Sequence, residues 1–116
     1  MELRKLPVMP EKEAEVKDIG MDMIVRQRAH QFCRGEFLPE FNNTLEMGEL
    51  IGAAMCYVGH AYGLEHGLDV QKSPPKSWPL DKSLWNPSDD PCEDLAKAGA
   101  IIVAHLNKKQ HNGNQD

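Results

Sequence analysis

The sequence predicts an all-α domain of three principal helices, with a long Pro/Trp-rich loop between the second and the third. Three observations carry this. Apolar residues recur at helical spacing in three stretches, around Val16–Phe32, Leu50–Ala61 and Leu95–Leu106. No convincing strand and no internal repeat interrupts them. The segment SPPKSWPLDKSLWNPSDDP, with five prolines and two tryptophans, cannot continue either neighbouring helix. The 116 residues suffice for one core, so 1–116 reads as a single helical domain, with 1–9 as a flexible lead-in and 112–116 as a flexible tail.

The first helix is expected from Pro10, whose missing N–H is harmless at a first helical position, to about Phe32. Val16, Ile19, Met23 and Ile24 make its predicted buried face, and Arg26, Arg28 and Gln31 its solvated one. Gly35 ends it and Pro39 prevents it from resuming. Phe37, Leu38 and Phe41 are too apolar for a free loop and are expected to pin the linker across the core.

The second helix has a capping box at its start, Asn43 with Glu46 three residues on. Leu50, Ala53, Ala54, Tyr57 and Ala61 form its narrow buried stripe. Gly48, Gly52 and Gly59 would each cost roughly 1 kcal/mol relative to Ala in an exposed helix interior, which predicts a closely packed neighbouring backbone. In the loop, Trp78 and Trp85 are the expected anchors, burying large rings while each indole N–H finds a carbonyl. A loop this long inside a small domain is functional or tightly packed.

The third helix starts with Asp90 as cap, Pro91 at the first position and Glu93 three residues after the cap. Leu95, Ala98, Gly99, Ile102 and Leu106 are its predicted buried stripe, widened by Ile101 and Val103. Lys108 and Lys109 suit its C-terminal end, and Asn112-Gly113 stops it. The small residues of the Ala98-Gly99-Ala100 segment allow close helix contacts, with the second and third helices packed antiparallel.

Composition narrows the function classes. A formal charge of -5 argues against a generic phosphate-backbone binder, so nucleic acid is not an expected partner. No apolar run is long enough to span a bilayer and the N-terminus lacks the apolar core of a signal peptide, so a cytoplasmic protein is expected. Cys33, Cys56 and Cys92 are odd in number and widely spaced, which fits reduced thiols, with Cys56 as a small core residue. No nucleophile elbow, P-loop or H-E-x-x-H is present.

The most suggestive chemistry is Glu46 and Glu49, three apart on one helical face, a pair that could hold magnesium together with substrate phosphates. The alternative for both is that a helix start selects acidic residues anyway. Glu15 and Asp18 share the same spacing but belong to a charged, solvated face. His105, at the edge of the third helix's stripe, reads as a partly buried histidine with a hydrogen-bond partner. His60 and His66 have no partner at metal-ligand spacing.

Several segments occur in an order with precedent: VRQRAHQ at Val25 to Gln31, EFLPEFNN at Glu36 to Asn43, GELIGAAMCYV at Gly48 to Val58, SWPL and LWNP around Trp78 and Trp85, and DLAKAGAIIVAHL at Asp94 to Leu106. Together they resemble a group of small phage and prophage proteins of unassigned function, whose pattern is E-R-x-R-Q, P-E-H-D-D, G-E-L-A-x-A-A-x-Y, W-P-W and D-L-V-K-A-G-A-L-I. More distantly, LEMGELIGAA resembles the E-E-x-x-E helix of MazG-type all-α nucleotide pyrophosphatases. Glu46 and Glu49 fall on its later two acidic positions and Leu45 on the first. The second acidic motif of that type falls on Asp94-Leu95-Ala96-Lys97, with a lysine at the expected aspartate. The phage pattern's H-D-D is Phe41-Asn42-Asn43 here, and its A-E-I-E-R is Ala104-His105-Leu106-Asn107-Lys108. Neutral amides replace carboxylates poorly around a hard cation, which implies a degenerate or repurposed site.

The expected function is therefore a non-enzymatic accessory binding protein of phage or prophage type, inhibitory or anti-defence in character, acting on a host or phage protein or on a nucleotide, without a cofactor. Arg26, Arg28, Trp78, Trp85 and His105 are its candidate partner surface, and a homodimer is expected. The runner-up is a magnesium-dependent nucleoside triphosphate pyrophosphatase, with Glu46 and Glu49 as ligands, Asp94 as a third and Lys97 on a phosphate. A structural or assembly factor is the third reading.

Overall fold

The first of the described helices along the chain, α1 (Ile19–Cys33), starts at Asp18, whose carboxylate accepts the Met21 backbone N–H at 2.9 Å. The computed structural model describes residues 18–42, 44–46 and 48–114, so the expectations placed on Pro10, Glu15, Val16 and Asn43 lie outside the described residues, as do the lead-in and the last two residues of the tail. A single-turn helix α2 (Pro39–Asn42), the long α3 (Glu49–Glu65), a 3-10 turn at Lys82–Leu84 and α4 (Pro91–Asn114) follow. Among the described residues the fold is all-α with three principal helices, as the sequence predicts.

Gly35 stops α1 as expected. It takes a φ of 70°, its N–H bonds the Phe32 carbonyl, and the Glu36 N–H reaches Gln31 at 2.8 Å, which is a Schellman closure. The same device ends α3: Gly67 has a φ of 66°, and Leu68 donates to the Gly63 carbonyl at 2.8 Å. Pro39 opens α2 at its first position rather than only blocking a helix. Phe37 is buried in the core and holds a φ of 54°, an uncommon conformation for a bulky residue.

The start of α3 differs from the expected capping box. The helix begins at Glu49 behind Gly48, which has a φ of 92°, and the Glu49 carboxylate reaches back to the Glu46 N–H at 2.7 Å. Glu46 itself is exposed, so the capping carboxylate is the one three residues later. The buried stripe is as predicted: Leu50, Ala53, Ala54, Tyr57 and Ala61, joined by Gly63. The glycine expectation is corrected. A Cβ at Gly59 would meet nothing within 4 Å, and one at Gly52 would meet only the Pro79 ring at 3.4 Å. The close approaches are elsewhere, at Gly63 against Val70 Cγ1 and at Gly99 against Ile24 Cδ1 at 2.8 Å.

Helix α4 is capped by Asp90, whose carboxylate accepts the Cys92 N–H at 2.9 Å, while Glu93 takes the Ser88 hydroxyl at 3.0 Å instead of completing a capping box. It runs through Asn112-Gly113 to Asn114. Its buried side matches the predicted stripe at Ala98 and Ile101 but not at its leucines or at Ile102. Asp94, Ala96, Lys97, Ala98, Ala100, Ile101 and Ala104 are buried, whereas Leu95, Ile102 and Leu106 are exposed. The reason is that α4 packs against both long helices, α3 on one side and α1 on the other, as well as the short α2, so its buried arc is wide and is lined with small residues that let them come close. Ile24 seats on Gly99 in this way.

Helix α1 is corrected too. Ile19 is exposed, Met23 and Ile24 are half-buried, and the residues buried on this helix are Arg28 and Gln31, two of those expected on its solvated side. Helices α3 and α4 run antiparallel, because Lys108 near the end of α4 donates to the Leu45 carbonyl just before α3, whereas Asp94 at the start of α4 meets His60 late in α3. Across this pair lies the Trp/Pro loop, with Trp78 and Trp85 in the core cluster beside Phe37, Leu50, Tyr57 and Ile101.

Candidate functional site

The tryptophans are inside the protein, not on a partner surface. Trp78 donates its indole N–H to the Asp81 carbonyl and Trp85 to the Lys72 carbonyl, each at 3.0 Å. Tyr57 stacks on Trp85 with ring centroids 4.7 Å apart and meets Trp78 edge-on at 5.7 Å. Its hydroxyl accepts the Asn86 N–H at 2.9 Å and faces the Leu84 carbonyl at 3.4 Å. Burial of that phenol, set against the Asn86 bond, pushes its pKa up to about 12. The loop is thus fastened to α3 by an aromatic cluster.

Beside this cluster lies a polar knot. Asp94 is fully buried; one carboxylate oxygen accepts the Ser88 N–H at 2.8 Å and the other is 2.5 Å from Nδ1 of His60. Lys97, one turn further along α4, donates to the Asn86 carbonyl at 2.7 Å. Burial lowers the pKa of its ammonium, and the nearby Asp94 and Glu93 charges pull it partly back. Asp94 and Lys97 therefore hold the loop and α3 onto α4.

This placement separates the residues proposed for one magnesium site. His60, the neighbour of Asp94, is eleven residues beyond Glu49 on α3, a rise of about 16 Å along the axis. Glu46 and Glu49 are at the opposite end of the helix pair from Asp94 and Lys97, and Glu49 is engaged with the Glu46 N–H. Among the described residues no three His, Cys, Asp or Glu side chains come together to hold a metal ion. The four do not form the expected ligand set.

Of the other candidates, Arg26 is exposed on α1 and His105 is half-buried on α4. Arg28 is buried: its guanidinium donates to the Gln31 side chain and to the Phe37 carbonyl, each at 3.0 Å, and lies 4.1 Å above the Phe32 ring. Nothing local in the sequence marks His60, because its partner is 34 positions away and no local spacing joins them.

A cleft of about 510 Å³ opens between α3 and the loop. Gly52, Cys56 and Gly59 form its floor on α3, with Met55 and His60 at its sides and Val70, Pro75 and Ser77 across from them. Cys56, half-buried, lies with Sγ 3.5 Å from the Ser77 hydroxyl. Next to the cleft on the same helix, Ile51, Met55, Val58 and Tyr62 stand exposed in a line at spacings of four, three and four residues. No helix among the described residues is long and apolar enough to cross a membrane. No protein-family model, curated protein or solved structure matches the chain.

Proposed function

We propose that this chain is a non-enzymatic accessory binding protein, of the kind its resemblance to small phage proteins implies, and that it acts by docking an apolar helical segment of a partner protein on the outward face of α3. The observation that carries this is the composition of α3 against its exposure. From Leu50 to Leu64 the helix has no Asp, Glu, Lys or Arg, yet Met55 is 67% exposed and Tyr62 60%. A helix that is apolar all round belongs in an interior, and an exposed apolar patch on a small protein marks an interaction surface. The four-three-four spacing of Ile51, Met55, Val58 and Tyr62 is that of a helix-packing seam, and the cleft beside this ridge offers the groove for a partner's side chains. The buried carboxylate and ammonium of Asp94 and Lys97 are bonded internally, which supports a binding role over a hydrolytic one.

The test is a tagged full chain expressed in cells carrying its natural neighbours, compared with M55E/V58E. Those positions are exposed, so the substitutions leave the unfolding midpoint close to wild type. A protein retained by wild type and by Arg26→Glu but lost from M55E/V58E supports the reading. Equal recovery of a protein by wild type and M55E/V58E refutes it, as does no recovery by either when the purified wild-type chain is monomeric. Light scattering on the purified chain identifies the case in which the docked helix belongs to a second copy.

A further inference from the structure

Cys56 and His60 lie four residues apart on α3, and both line the cleft between that helix and the loop. We propose that they bind one copper(I) ion there, Cys56 through its sulfur and His60 through Nε2.

The state of His60 points to a ligand. Its side chain is 7% exposed, and Nδ1 lies 2.5 Å from one carboxylate oxygen of the fully buried Asp94. An ionised carboxylate only accepts, so Nδ1 carries the hydrogen and, in the neutral ring, Nε2 carries the lone pair. Nε2 bonds none of the described residues. The unpartnered side-chain nitrogens and oxygens sealed from a water-sized probe are, among the described residues, Arg28 Nε and Asn42 Oδ1, so Nε2 is not sealed. The two ring nitrogens point in diverging directions. With Nδ1 turned toward α4, Nε2 faces away from that helix and into the cleft. A smaller pocket beside Ser88 also reaches His60, but Ser88 bonds the same carboxylate as Nδ1 and so lies at the other edge of the ring. A histidine held by a carboxylate at one nitrogen and open at the other is the arrangement of a metal-ligating ring, in which the carboxylate fixes tautomer and orientation.

Cys56 supplies the second ligand. At about 100° per residue, His60 falls between buried Tyr57, about 60° to one side, and Cys56, about 40° to the other. Side chains at this spacing have Cβ atoms about 5–6 Å apart, close enough for one ion to join Sγ and Nε2. The sulfur's contact in the cleft wall is the Ser77 hydroxyl at 3.5 Å, a weak partner. The ligand count then selects the ion. No third His, Cys, Asp or Glu among the described residues joins the pair, whereas zinc takes four ligands, three or more of them from the protein. Copper(I) is satisfied by two, and soft sulfur ligands favour it. The Met55 thioether, in the same wall, is soft as well. Cys56 binds as the thiolate, its proton passing to the buffer.

This site lies beside the α3 ridge without resting on its docking role, and its test needs no partner protein. The full chain carrying C33S/C92S, which removes the two exposed thiols, is the reference. Reduced and without oxygen, it would be titrated against the copper(I) bicinchoninate complex, whose absorbance falls as the ion transfers. Expected is one ion per chain. In the same background Cys56→Ser should abolish transfer, and His60→Gln and Asp94→Asn should each weaken binding by about tenfold or more with the helical circular dichroism unchanged. X-ray absorption at the copper edge should show an imidazole nitrogen beside sulfur. No transfer to C33S/C92S, transfer retained in Cys56→Ser, affinity unchanged in His60→Gln or Asp94→Asn, or coordination by sulfur alone overturns the proposal. So does retention of zinc but not of copper(I) on desalting.

Discussion

Replacing Asp94 by alanine removes the only carboxylate that is fully buried among the described residues, together with both of its bonds. His60 Nδ1 loses its partner in a ring whose side chain is 7% exposed, and the Ser88 N–H loses its acceptor at the turn into α4. Lys97, already disfavoured by burial, loses an attractive charge. Breaking a buried ionic or charge-assisted pair by removing one member costs about 3–5 kcal/mol, against a total stability of about 5–15 kcal/mol for a domain. A fall of roughly 15 °C or more in the thermal midpoint follows for a domain of this size. Asp94→Asn keeps the shape and an oxygen for Ser88 and should cost about 1–2 kcal/mol. The assay is urea unfolding followed by circular dichroism, with slopes compared so that midpoints convert to free energies. His60→Ala and the double variant complete a cycle, with a coupling energy of about 1 kcal/mol or more expected. A loss below about 1 kcal/mol in Asp94→Ala, or no coupling to His60, would refute the role assigned to the knot.

Three further outcomes follow from the packing. The chain has two tyrosines, so in Tyr62→Phe the tyrosinate absorbance reports Tyr57 alone, and it should titrate near 12 in the folded protein and near 10 in denaturant. Because the unfolded chain gives up this proton first, Tyr57 removes stability as pH rises from about 10 to 12, by about 2–3 kcal/mol in all, while Lys97, with its lowered pKa, works in the opposite sense. A folded-state midpoint near 10 would show that the phenol is not held as described. Gly59→Ala should stabilise by about 0.5–1 kcal/mol, since its Cβ enters open space, whereas Gly63→Ala drives a methyl into Val70 and should lose about 1 kcal/mol or more; equal effects in urea unfolding would contradict the helix–loop packing. Glu49→Gln should cost about 1 kcal/mol through the bond to the Glu46 N–H and show the same loss with or without magnesium; a loss that appears only with magnesium would return Glu49 to a metal-binding role.

Much of the candidate site was only half legible. Asp94 and Lys97 enter the sequence reading only through the resemblance to the MazG-type acidic motif, and sequence spacing does not say that they face His60 and Asn86 instead of Glu49, because that depends on the direction in which α4 returns along α3. The residue type of Arg28 predicts a solvated side chain. Its burial follows from Phe37, whose left-handed backbone turns a carbonyl toward both Arg28 and Asn42.

What the sequence determined by itself was local. The stop at Gly35, the Asp90 cap and the stripe from Leu50 to Ala61 each depend on residues within one or two turns, where backbone geometry and helical period act directly. The indole partners were anticipated in kind, since a buried N–H requires an acceptor, although not which carbonyl would serve. Tertiary structure decided which arc of α4 is inside. Its apolar residues surround the helix on nearly every side, and only the arrival of α1 on Gly99 and of α3 on Ile101 and Ala104 chose among them, leaving Leu95, Ile102 and Leu106 outside.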